Sequence, residues 1–351
     1  MLNVTRELID GIRSASSGSS SEHILTGARV AIIARHGGPE DADALLDVFL
    51  EAPTDYRREC VLDAVMRVGT RETARKLASE CLAKGKLKEG TQAAVLHAIG
   101  FLGFAEARDA LWAHARGDSD YCEQESGALG LLNLSCDGLE GEIEAAIRAC
   151  VGKSLFPEFL PVLAHKAGNP ELLQTIFDLG HTTASTDCNG GIVYGIALFG
   201  EPGRSHFDRL LFDPHWETYG GGTGTEWWAY HGFRHLGGRL ARLAQRVRND
   251  HASLPFKEWE YHARVWLELA KCGLGDPLPP IRTDTYDHEQ AAEVYGAAFD
   301  WTSADADDSL TGLVRDKGRL RKDDVYAFRD RLEARIVSEV SGENSSSPPD
   351  H

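Results

Sequence analysis

Residues 90–118 read GTQAAVLHAIGFLGFAEARDALWAHARGD. The Ala-rich half carries apolar residues at helical spacing and closes on Gly103, and a second amphipathic stretch opens near Glu106 after a short turn. A glycine just past a helical pattern suits the left-handed backbone of a helix C-cap, so this unit predicts two helices punctuated by Gly103.

The same ending recurs along the chain as ARVAIIARHG to Gly37, LDAVMRVG to Gly69, GALGLLN to Asn133, PVLAHKAG to Gly168, IVYGIALFG to Gly200 and HGFRHLG to Gly237. Successive punctuation residues stand 32, 34, 30, 35, 32 and 37 apart. Between them lie further apolar-periodic stretches such as RETARKLASECLAK, EGEIEAAIRACV and GRSHFDRLLFD, giving two helices per repeat. Small residues inside the punctuated helices (Ala64, Ala98, Gly100, Gly127, Ala128, Gly130, Gly195, Ala197) let neighbours approach closely.

Composition agrees with a folded chain. Among 351 residues 42% are apolar and 26% charged, enough for a large core and too apolar for general disorder. The net charge of −17 opposes nucleic acid as a partner, since that binding neutralises phosphates with Lys and Arg. No apolar run reaches the length of a membrane helix, and Arg6, Glu7 and Asp10 interrupt the N-terminus where an export signal would be apolar. Seven cysteines without a CxxC pair read as reduced thiols, and the expected location is cytoplasmic.

QAAVLHAIGFLGFAEARDAL and GGIVYGIALFGEPGRSHFDRL resemble short HEAT-like repeats of the kind found in the phycobilin-lyase-type family. The resemblance covers roughly residues 22–245 and implies a fold: an all-α, right-handed α-solenoid of about seven HEAT-like helix pairs with a C-terminal helical cap. The signatures of tetratricopeptide and ankyrin repeats are absent. The expected organisation is an N-terminal helix and Ser-rich hinge (1–21), the repeat solenoid (22–272), a Pro/Gly linker (273–288), the helical cap (289–340) and a disordered tail (341–351).

HEAT-like arrays line their concave face with the second helix of each pair, and the punctuation aligns those helices. Six positions before it stand Ala31, Asp63, His97, Gly127, Val162, Tyr194 and His231; ten before it stand Gly27, Glu59, Ala93, Glu123, Glu158, Gly190 and Trp227. Columns four residues apart share a helix face. That face therefore collects Glu59, Asp63, His97, Glu123, Glu158, Tyr194, Trp227 and His231. Glu123, Glu158, His97 and His231 have the chemistry of general acids and bases, and Glu59, Asp63, Tyr194 and Trp227 that of ligand contacts.

Part of this polarity has a simpler source, because a solvated helix face is polar anyway and acids in a first turn complement the helix dipole. HExxH, metal-spaced cysteines, GxGxxG and the P-loop motif are missing, so neither metal nor cofactor is expected. His231 and His235, spaced four apart, lack a third ligand nearby in sequence. Residues 213–228, DPHWETYGGGTGTEWW, form the longest irregular insertion, with a lid or binding loop as the functional reading. Two functions follow: a module that binds a polar or cationic small molecule, a peptide or a protein in an acidic, aromatic groove, or a cofactor- and metal-independent tailoring enzyme using Glu/His acid–base chemistry.

Overall fold

A computed structural model describes residues 1–15, 20–51, 55–117, 120–182, 189–213, 225–274 and 278–282. They are predominantly helical, with one two-stranded hairpin. None of the described helices is long and apolar enough to cross a membrane. The described residues fall into two compact units that part between Ala107 and Arg108, inside the stretch 22–272 expected as one array.

The first unit contains α1 (Asn3–Ser14), α2 (Ser20–His36), α3 (Ala42–Glu51), α4 (Asp55–Val68), α5 (Arg71–Cys81) and α6 (Ala94–Phe101). The helices α2, α4 and α6 pack in a row, with α1, α3 and α5 laid against them. Ile12, Ile32, Ile33, Leu45, Leu62 and Leu77 are fully buried between them. Ser14, Ser20 and Ser21, expected as hinge, are helical, and 16–19 lie outside the described residues.

The sequence pattern carries α5 on to Lys84, but the helix stops at Cys81. Leu82–Ala83 and Lys86–Leu87 pair as antiparallel strands across Lys84 and Gly85. Both turn residues have positive φ (52° and 77°), the backbone of a two-residue hairpin turn, which glycine adopts without steric cost.

The second unit contains α7 (Arg108–Arg116), α8 (Tyr121–Leu132), α9 (Glu140–Arg148), a 3-10 helix (Leu160–Ala167), α10 (Glu171–Thr182), α11 (Asn189–Ala197), α12 (Glu201–Leu211), α13 (Thr225–His235), α14 (Leu240–Asp250) and α15 (Phe256–Leu274). An inner row runs α8, 3-10 helix, α11, α13, α15, each touching the next. Its close approaches need glycine: a Cβ on Gly191 would lie 1.9 Å from the Glu158 carbonyl oxygen, and one on Gly195 would lie 2.6 Å from that of Pro161. These contacts advance in step along both elements, as do Gly190 with Trp228 and Gly232 with Ala197, so the 3-10 helix, α11 and α13 run parallel.

Buried tryptophans in this unit reach carbonyl oxygens, Trp259 Nε1–H donating to Val247 at 2.9 Å and Trp266 Nε1–H to Leu240 at 3.1 Å. The punctuation is partly as expected. Gly103, Gly168, Gly200 and Gly237 have positive φ, whereas Gly37 and Gly69 do not and Asn133 ends α8 in right-handed backbone at φ −94°. PVLAHKAG forms the tighter 3-10 helix where an α-helix was expected. The insertion at 213–228 is shorter than its sequence suggests, since Thr225 already starts α13. Residues 214–224, the expected cap (289–340) and the tail (341–351) lie outside the described residues.

Candidate functional site

Parallel inner helices bring their starts to one rim of the second unit. Asp120 caps α8, its Oδ1 accepting the Cys122 N–H at 2.9 Å, and so fixes the first turn that carries Tyr121 and Glu123. The Tyr121 hydroxyl donates to Glu158 Oε2 across to the 3-10 segment. Glu158 is only 5% exposed, and its Oε1 lies 2.7 Å from where a Cβ on Gly190 would stand. Its carboxylate thus sits at the first turn of α11, where the helix dipole favours negative charge.

Trp228 closes the other side. Its Cδ1 is also 2.7 Å from the Gly190 Cβ position, so no larger residue fits at 190 without displacing carboxylate or indole. The indole meets Phe159 edge-on at 4.5 Å and stands 5.7 Å from Tyr194 and 5.9 Å from His231, with Tyr194 and His231 6.3 Å apart. Burial drives the Tyr194 hydroxyl far above its ordinary pKa, so it stays a neutral phenol and is no general base near neutrality. Glu158, Gly190, Trp228 and this ring cluster form a carboxylate set against an aromatic wall.

A second polar pair lies on the neighbouring helices. The buried His114 of α7 reaches Glu123 of α8 at 2.8 Å between Nδ1 and Oε2. An ionised carboxylate only accepts, so the proton is assigned to Nδ1. The helices come this close because Gly127 faces Leu111 and Ala115, where a Cβ would lie 2.8 and 2.9 Å from main-chain atoms.

The expected strip is therefore redistributed. Glu158, Tyr194 and His231 come together in the second unit, joined by Tyr121 and Trp228, which the punctuation columns did not select. Glu123 engages His114. Trp227 is 41% exposed and its neighbour Trp228 makes the ring contacts, because adjacent residues on a helix point about 100° apart. Glu59, Asp63 and His97 belong to the first unit, Glu59 and Asp63 on α4 and His97 on α6; the Glu59 side chain lies outside the described residues. Asp63 is exposed and the half-buried His97 stands edge-on to Phe101 at 5.8 Å.

One sequence signal pointed towards the missed residues. Two adjacent tryptophans beside glycines mark an aromatic wall, but only the helix phase tells which one faces inward. Tyr121 opens its helix two residues ahead of the aligned columns, off the face they share, and His114 lies on a first helix, which the alignment never sampled. Among the described residues no group of three His, Cys, Asp or Glu side chains stands close enough to hold a metal ion. Comparison of the chain with family models, with curated proteins and with solved structures gives no match.

Proposed function

We propose that each unit is a stack of HEAT-like helix pairs and that the second binds a small cationic molecule at Glu158. The single observation that carries the binding reading is a nearly buried carboxylate held by a tyrosine hydroxyl beside a wall of Trp228, Phe159, Tyr194 and His231. A nearly buried carboxylate attracts a cation more strongly than an exposed one does, and an aromatic face adds attraction for a cation in a desolvated setting. The repeat reading is supported by the regular row of second helices within each unit.

Calorimetric titration with primary amines, guanidinium compounds and quaternary ammonium compounds tests the site. Glu158→Gln and Trp228→Leu are each expected to weaken the best binder by about tenfold, the value of one charge-assisted contact or one desolvated cation–π contact. An unchanged affinity in a natively folded Glu158→Gln chain sinks this reading.

The His114–Glu123 bond favours a second reading, acid–base catalysis by a carboxylate-oriented histidine. Glu123→Gln is then expected to lower turnover of any substrate by about a hundredfold. Equal turnover by the variant and the native chain would rule it out.

A further inference from the structure

The segment Leu278 to Arg282 follows α15 in a Pro/Gly-rich stretch expected as a linker, yet it lies against the end of α8, with Pro280 buried. Asn133, the residue that punctuates α8, holds it by both halves of its side-chain amide. Its Nδ2 donates to the Pro280 carbonyl oxygen at 2.9 Å, and its Oδ1 accepts the Arg282 N–H at 2.7 Å. The carbonyl of one residue and the N–H of the second one on lie along the same edge of an extended chain. The Asn133 amide thus substitutes for the peptide group of a neighbouring strand.

We propose that Asn133 forms a peptide-reading site, filled here by the chain's own Pro-Pro-Ile-Arg, and that its partner is an extended, proline-containing peptide with a basic residue. Three observations select that chemistry. Both contacts go to main-chain atoms, so the site reads an extended backbone rather than a particular side chain. Consecutive prolines at 279 and 280 hold the segment extended before it docks, which lowers the ordering cost of binding. The basic Arg282 is exposed, and a net charge of −17 attracts cationic segments over neutral ones. The remaining Nδ2 hydrogen points towards the Leu129 carbonyl at 3.4 Å, which orients the amide from within its own helix.

The test uses the full-length chain and a fluorescein-labelled peptide DPLPPIRTD, matching residues 276–284. A chain carrying Pro279→Gly, Pro280→Gly and Ile281→Asp, which weaken the internal segment, is expected to bind the peptide at least about tenfold more tightly than the native chain. Adding Asn133→Ala should reverse that gain by about tenfold, the value of two hydrogen bonds. A natively folded triple variant that ignores the peptide, or that binds it equally with Asn133→Ala, overturns the proposal. Should the triple variant unfold, amide exchange decides. In the native chain the Arg282 N–H is expected to be protected and in Asn133→Ala to exchange about tenfold faster, and equal exchange in the two overturns the proposal.

Discussion

Gly191→Ala is expected to lower the stability of the second unit by about 2 kcal/mol or more, against the usual benefit of alanine in a helix. Alanine is the better helix former by about 1 kcal/mol. At this position the added methyl meets main chain: the Glu158 carbonyl oxygen at 1.9 Å, its carbonyl carbon at 2.7 Å and the Phe159 Cα at 2.8 Å. Those atoms move only if the 3-10 segment and α11 separate, and that would also disturb the carboxylate and the rings around Trp228. The clash therefore outweighs the propensity gain.

Gly141→Ala provides the opposite sign. Gly141 lies in the first turn of α9, where a Cβ would find no neighbouring atom within 4 Å, and the change is expected to stabilise by about 0.5 kcal/mol. Urea unfolding followed by tryptophan emission measures both. The five tryptophans among the described residues (Trp112, Trp227, Trp228, Trp259 and Trp266) lie in the second unit, so their signal follows that unit. A Gly191→Ala midpoint equal to that of the native chain would contradict the packing described for α11.

Acidification is expected to produce the second large effect. His165, at the end of the 3-10 helix, is pushed down to about 4 from its ordinary 6.5, first by burial and then by the neighbouring Lys166 charge, with His235 adding slightly. The bond between its Nδ1 and the Val162 carbonyl at 2.9 Å opposes that shift without reversing it. A histidine with a depressed folded-state pKa binds its proton more readily when unfolded. Its contribution is therefore complete above about pH 6.5 and is lost as pH falls from there towards 4. A separation of that size is worth about 3 kcal/mol. Burial lowers the pKa of His235 as well, so it acts in the same direction. Unfolding free energies measured between pH 7 and 4 should fall much less steeply in His165→Gln than in the native chain. Parallel curves would show that His165 does not carry the effect.

Helix ends were legible at Gly103, Gly168, Gly200 and Gly237, which follow helical segments with positive φ, a backbone that glycine adopts without steric cost. The hairpin at Lys84 and Gly85 was not, since the apolar spacing of α5 continues through Leu82 and only the turn pair breaks it. Alignment on the punctuation found Glu158, Tyr194 and His231, whose depth below the helix end is set by that end. It missed Tyr121, which stands two residues ahead of the aligned columns, and Trp228, whose contacts depend on how far two parallel helices interpenetrate. That distance is governed by Gly190 and Gly191, residues whose role appears only when the facing atoms are known. The segment holding Pro280 read as a linker because proline-rich composition reports extended backbone and says nothing of what an extended backbone rests on.

The bond between Asn133 and Pro280 spans 147 residues of chain, and this gives the two units different timetables during synthesis. In the first, the described helices pack against others close in sequence, so most of their contacts can form as the chain leaves the ribosome. In the second, α8 emerges early but its C-terminal amide must wait until Arg282 has been translated. Until then the end of α8 is left open to whatever extended segment passes by.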